Sequence, residues 1–257
     1  LGLLDEAVAR YGDKPALSLR ADDGSTSDWS FRELERRGRL AAWRLRAIGL
    51  EPGDRVLTWS PSMPELAAAY FGAMRARLIY VPLDLRMSTE AVEAIVRTSE
   101  SRHLILGTGR DAPDPREARL EHFPTTTLEA LCAEPTDDDP RFPPDWEAQQ
   151  AAWESPTPDE VFQLVFTSGT TGTPKGVMLA HDNLLASIES FHAVMPHLEH
   201  RIVSLLPLSH LLEQVSTLFV GTYLPGDGKL SGVRRELELY VRRNMSNLAE
   251  VRTANIK

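Results

Sequence analysis

The run from Phe166 to Gly176, FTSGTTGTPKG, constrains this chain more than any other stretch. It packs hydroxyls, glycines and one lysine between two short apolar runs, Val161 to Phe166 and Val177 to Leu179, which have the composition of buried strands. The local form predicted is strand, loop, strand. Gly169 and Gly172 let the backbone turn and approach a ligand with no Cβ in the way, so successive N–H groups can point at an anion. Thr167, Ser168, Thr170, Thr171 and Thr173 add hydroxyl donors, and Lys175 adds a cation. Pro174 biases Thr173 toward an extended conformation and so fixes where Lys175 is presented. The pattern predicts an anion cradle with one positive arm. A Walker A loop is excluded, because Pro174 stands where that motif needs its Gly-Lys pair. A solvated hairpin without chemistry is the competing reading.

The 257 residues suffice for one or two domains with a sizeable core. A net charge of -9, with no basic block, argues against nucleic-acid binding and directs attention to small molecules. Cys132 is the single cysteine, which excludes an intrachain disulfide and a cysteine metal cluster. It is read as a partly buried bystander. No signal peptide and no membrane-length apolar run is present, so a cytoplasmic location without a transmembrane segment is expected. Peripheral membrane contact and oligomeric state stay open.

Along the chain, Ala16 to Leu19 reads as a strand and Asp22-Asp23-Gly24 as a hairpin tip. Ser30-Phe31-Arg32-Glu33 forms a capping box that opens an amphipathic, surface-lying helix, with Phe31, Leu34, Ala41, Leu45 and Ile48 on one face and Gly49 as its stop. Arg55 to Trp59 is a strand, and Ser62-Met63-Pro64-Glu65 is a second capping box, opening a helix to about Ala76. Leu78 to Pro82 is a strand, a helix capped by Ser88 or Thr89 runs to Ser99, and His103 to Leu106 is a strand. The order β-α-β-α-β predicts an α/β fold with a parallel sheet, its ligands at the loops beyond the strands' carboxyl ends.

Four portions are expected: 1–133, a first α/β part; 134–158, an acidic Pro-rich linker; 159–220, the loop and a histidine segment; and 221–257, a tail. In the linker, Asp137-Asp138-Asp139 is read as a solvated run rather than a metal site. In the third portion, Asp182 or Asn183 caps a helix with Leu184, Leu185, Ile188 and Phe191 on one face. Arg201 to Leu206 reads as a strand that ends in PLSHLLEQ, residues 207–214. Past that strand end, His210 either lines a site or packs with its ring hydrogen-bonded, and the residues leave the two open.

With these segments placed, the chain resembles the adenylate-forming superfamily of AMP-binding enzymes: acyl- and aryl-CoA synthetases, luciferases and adenylation domains. TSGTTGTPKG (167–176) is similar to that family's phosphate-loop signature throughout. SFREL (30–34) and YVPLD (80–84) resemble an early helix start and a strand end of the family. PLSHLLEQ (207–214) resembles its fourth motif as found in bacterial long-chain fatty acyl-CoA synthetases. The resemblance implies a parallel-sheet N-terminal subdomain, here incomplete. It also implies ATP-dependent conversion of a carboxylic acid, a medium- or long-chain fatty acid, to acyl-AMP and then to acyl-CoA.

On this resemblance the implied small molecules are the acid, ATP with Mg²⁺, and coenzyme A. Thr167, Ser168, Gly169, Thr170, Thr171, Gly172, Thr173 and Lys175 would hold the phosphates. Lys175 and His210 would be the catalytic candidates, His210 bordering the acyl and adenylate pocket, and Thr171 the metal-side candidate. The sequence has no Tyr-Gly-x-Thr-Glu segment, whose glutamate would hold Mg²⁺, no Thr-Gly-Asp segment for the ribose, and no recognisable C-terminal catalytic domain. From about Gly221 the tail departs from the family: 226–232 reads as a loop, 233–241 as a charged helix. It is expected to be joined from a later segment, or the chain to be truncated. Two alternatives remain: a fatty acyl-AMP ligase or adenylation domain that loads a carrier protein, and an inactive nucleotide-binding fragment.

Overall fold

The computed structural model describes residues 2–20, 25–109, 111–167, 175–194, 204 and 206–219. After helix α1 (Gly2–Tyr11), strands β1 (Pro15–Arg20) and β2 (Thr26–Ser30) pair antiparallel as a separate two-stranded sheet. The expected hairpin tip at residues 22–24 lies outside the described residues.

Helix α2 (Phe31–Ala47) starts where the sequence places it, with the Ser30 hydroxyl accepting the Glu33 N–H at 3.1 Å. Only this half of the capping box is recorded; the Glu33 carboxylate accepts instead from Arg37 Nε at 2.6 Å. Gly49, at φ 89°, provides the left-handed exit. The predicted apolar face is buried from Phe31 to Leu45, but Ile48, beyond the last turn, is 43% exposed. Nor is α2 surface-lying. Arg44 is 4% exposed, donating from Nη1 to the Leu131 and Ala133 carbonyls at 2.8 and 2.6 Å and lying over the Phe142 ring.

The partners of Arg44 explain the second covered side. Segment 134–158 folds over α2: Trp43 stacks on Trp153 and packs against Trp146, Arg36 holds Glu134 and Glu147, and the Gln150 amide donates to the Arg39 carbonyl. Its short helix α6 (Trp146–Ala151) lies on this arginine-rich face, after helix α5 (Leu128–Cys132).

The main sheet comprises β3 (Arg55–Trp59), β4 (Ile79–Leu83), β5 (His103–Leu106), β6 (Thr125–Thr127), β7 (Val161–Thr167) and β8 (Lys175–Ala180), in the spatial order β6-β5-β3-β4-β7-β8. All neighbours are parallel except β7 and β8. Side chains alternate across the central strands. Val56, Tyr80 and Ile105 enter one core, whereas Leu57, Val81 and Leu104 enter the other. Helix α3 (Pro64–Arg75) covers the first face with α2, and α4 (Thr89–Ser99), capped by the Ser88 hydroxyl, covers the second. This is the doubly covered sheet that the β-α-β-α-β order predicts.

Two details of α3 position the sheet's working end. Its backbone crosses α2 so closely that a Cβ on Gly72 would lie 2.7 Å from Ala41 Cβ and 2.9 Å from the Gly38 carbonyl oxygen. Its buried Tyr70 packs edge-on against Tyr80 of β4 and donates its hydroxyl to Gln163 Oε1 of β7 at 2.8 Å. Burial holds the Tyr70 phenol well above its ordinary range, so it remains a donor.

The second capping box does not form. Met63 is the residue before α3, no side chain caps it, and the Ser62 hydroxyl is used elsewhere. Helix α7 (His181–Val194) begins earlier than expected, and Asn183 Oδ1 accepts the Ala180 N–H at 2.9 Å from inside the first turn. Leu184 and Ile188 are buried, but Leu185 is 42% exposed and off the core face. The Phe191 side chain lies outside what is described, as do residues 201–203 and 205 of the expected strand and the tail 221–257. Of that strand, Ser204 and Leu206 are described and neither is extended in a sheet.

Candidate functional site at the carboxyl ends of the strands

The Ser/Thr/Gly loop leaves β7 at Thr167 and returns as β8 at Lys175, which pair directly across the ladder. Both are exposed. Ser168, Gly169, Thr170, Thr171, Gly172 and Thr173 lie outside the described residues. The frame of the loop is nonetheless fixed: β4 pairs with β7 at Tyr80 and Gln163, so four residues further along each parallel strand bring Asp84 and Thr167 to the same edge. The connection from β4 runs back across β3 to β5, while that from β7 turns outward to β8. Diverging connections of this kind leave a crevice at the strand ends, where ligands of open α/β sheets bind.

The histidine segment is held at this edge. Residues 207–210 form a turn that leads into α8 (Leu211–Glu213) and then a π-helical turn (Gln214–Phe219). Ser62, just past β3, accepts the Leu208 N–H at 3.0 Å. The fully buried Gln214 donates its amide to the Leu208 carbonyl at 2.7 Å. Leu208, Val215 and Leu218 anchor the segment in the α2–α3 core.

This anchoring delivers His210 to Asp84, the residue after β4. His210 Nε2 lies 2.9 Å from Asp84 Oδ2 and 2.7 Å from Arg86 Nη2. Arg86 grips the carboxylate as a fork, Nε on Oδ1 at 2.9 Å and Nη2 on Oδ2 at 2.8 Å, and its own N–H adds a third bond at 2.8 Å. The Ser209 hydroxyl approaches Oδ2 at 3.3 Å. The Arg86 guanidinium therefore holds the Asp84 carboxyl well below the usual carboxylate range, against the opposing effect of burial. His210 keeps a side-chain exposure of 46%, so the rest of its ring faces outward.

Three residues here carried no such role in the sequence. The sequence presents Ser62 as a helix cap and Asp84 only as the end of a strand motif, and it places Arg86 in no motif. A carboxylate directly after a parallel strand was the available signal. Cys132 takes no part: it is buried, its Sγ lies 3.6 Å from the Glu65 carbonyl, and burial pushes its thiol up to about 12.

As for a metal, no group of three or more His, Cys, Asp or Glu side chains among the described residues could hold one. Asp84 has both oxygens occupied by Arg86. The carboxylate at this edge therefore does not fit a metal-ligand role, and Thr171 lies outside the described residues.

Comparison with known proteins agrees with the fold. A long-chain-fatty-acid–CoA ligase of Drosophila melanogaster, "heimdall", is 29% identical over 238 residues, 84% of this chain and 35% of that protein. The long-chain-fatty-acid–CoA ligase of Escherichia coli O157:H7 is 28% identical over 247 residues, 81% of this chain and 42% of that one. The chain thus spans less than half the length of these relatives. A crystal structure of a fatty acyl-adenylate ligase from L. pneumophila, in complex with acyl adenylate and pyrophosphate, superposes with a TM-score of 0.65 at 18% identity, covering 96% of this chain and 42% of that one. The profile of the AMP-binding enzymes matches residues 4–226, most of the sequence, and the chain belongs to that family.

Proposed function

We propose that this chain carries the phosphate-gripping half of an acid–thiol ligase that uses ATP to activate a carboxylic acid. The acid is a medium- or long-chain fatty acid, converted first to acyl-AMP and then to acyl-CoA. One observation carries the reading: the two ends of the Ser/Thr/Gly loop, Thr167 and Lys175, stand at the same sheet edge as the Asp84–His210 pair. Family membership and the names of the relatives support the chemistry.

The roles follow from charge and reach. The loop's hydroxyls and Lys175 bind the β- and γ-phosphates, and Mg²⁺ enters with ATP as part of the substrate. His210 borders the acyl and adenylate oxygens. In-line attack of a carboxylate on the α-phosphate asks the protein for positioning and charge stabilisation more than for a nucleophile of its own.

A second reading shares the first half-reaction and passes the acyl group to a carrier protein; the fatty acyl-adenylate ligase among the structural neighbours favours keeping it. The test is ATP–pyrophosphate exchange by the full-length protein with a panel of carboxylic acids. Exchange that depends on a fatty acid is expected, and no exchange with any fatty acid would refute the assignment. Supplying coenzyme A or a phosphopantetheinyl carrier to the same reaction separates the two acceptors.

A further inference from the structure

His210 Nε2 has two partners at hydrogen-bond distance, and they make opposite demands. Asp84 Oδ2, at 2.9 Å, requires a proton on Nε2; Arg86 Nη2, at 2.7 Å, has only N–H groups to offer and requires a lone pair there. One ring nitrogen cannot satisfy both, and in the neutral imidazole the loser decides what Nδ1 carries.

The surroundings favour Arg86. The Asp84 carboxylate already accepts the Arg86 N–H, the two arms of the Arg86 fork and the Ser209 hydroxyl, so a further donor adds little. Arg86 Nη2 carries two hydrogens, and both Asp84 Oδ2 at 2.8 Å and His210 Nε2 at 2.7 Å lie within their reach. A proton on Nε2 would lie against this N–H donor at 2.7 Å, beside a guanidinium that never loses its charge. Glu213, of the same segment, is buried and lies 3.4 Å from the Leu206 N–H.

We infer that Arg86, fixed by Asp84, is a positioning residue that keeps neutral His210 in its Nδ1–H tautomer. The outward face of the ring then offers a hydrogen-bond donor, not a base, to an anionic oxygen. The role of that donor rests on the reading that His210 borders the acyl-adenylate, where an N–H aimed at a carboxylate or phosphate oxygen stabilises developing charge. The tautomer itself is a property of the unliganded chain.

The experiment is a long-range ¹H–¹⁵N spectrum of the histidine side chains of the 257-residue chain, at a pH where the rings are neutral. His210 is assigned by its loss in His210→Gln. Nδ1 is expected to show the pyrrole-like shift and Nε2 the pyridine-like shift. In Arg86→Ala, Asp84 is left alone with Nε2 and the two shifts exchange. Arg86 has a side-chain exposure of 70%, so the variant keeps its fold, which the amide spectrum verifies.

An Nε2–H ring in the parent, or the same tautomer with and without Arg86, overturns the inference. The two claims fail separately. A chain with the expected tautomer whose full-length protein shows no acid-dependent exchange supports the inference and refutes the ligase reading; an active enzyme with an Nε2–H ring does the reverse.

Discussion

The close crossing of α2 and α3 yields a prediction whose sign depends on which of two glycines is changed. In Gly72→Ala the new methyl carbon would lie 2.7 Å from Ala41 Cβ, 2.9 Å from the Gly38 carbonyl oxygen and 3.0 Å from the Ala42 nitrogen. Two of these are backbone atoms that cannot rotate away, so the helices must part. Overpacking of this kind costs about 1–3 kcal/mol, and a backbone clash belongs at the upper end. Alanine's better helix propensity returns about 1 kcal/mol, leaving a net loss of about 2 kcal/mol. In Gly38→Ala the nearest atoms are at 3.5, 3.5 and 3.9 Å, ordinary contact, so only the propensity gain of up to about 1 kcal/mol remains. Urea unfolding of both variants decides. With a slope of about 3 kcal/mol per molar, Gly72→Ala lowers the midpoint by about 0.7 M, while Gly38→Ala leaves it unchanged or raises it. Equal destabilisation by the two, or none by Gly72→Ala, would refute the packing argument. The consequence reaches the site, because α3 follows directly on Ser62, which holds Leu208.

Three further outcomes are expected. Arg44→Met leaves the Leu131 and Ala133 carbonyls without their donor and should cost about 3 kcal/mol, read by urea unfolding, with faster proteolysis of segment 134–158. Burial lowers His103 from 6.5 to about 4, so the unfolded chain binds the proton first. It therefore costs nothing above pH 6.5 and destabilises the fold increasingly as pH falls toward 4, at no more than about 1.4 kcal/mol per pH unit. A His103→Gln variant should flatten that part of the stability profile. Cys132, with its thiol pushed up to about 12 and buried, should resist iodoacetamide at neutral pH until the chain is unfolded, as mass spectrometry of the intact chain would record.

What could be read in the sequence was local. Ser30 and Ser88 cap the helices they precede, and the alternation of strands and helices gives the parallel sheet, because caps and periodicity act within one or two turns. Ser62 carries the same signal but serves another element, since its hydroxyl is taken by an N–H 146 positions away. Asp84 and His210 were legible as residues of two separate motifs and Arg86 belonged to neither; their meeting depends on the register of β4 and on Gln214 folding the 207–214 turn back. Arg44 was misleading for a related reason. Its charge marks a polar helix face, yet the Leu131 and Ala133 carbonyls and the Phe142 ring of segment 134–158 bury it. Leu185 erred in the opposite direction, apolar at the expected spacing but turned off the core.

If the β7–β8 loop grips the triphosphate with Lys175 as its cationic arm, calorimetric titration of the chain with ATP and Mg²⁺ will separate the parent from Lys175→Ala. A charged hydrogen bond to phosphate contributes about 1.5–3 kcal/mol, so saturable binding that weakens at least about tenfold in the variant is expected. No binding by the parent, or equal affinity in the two, would contradict it.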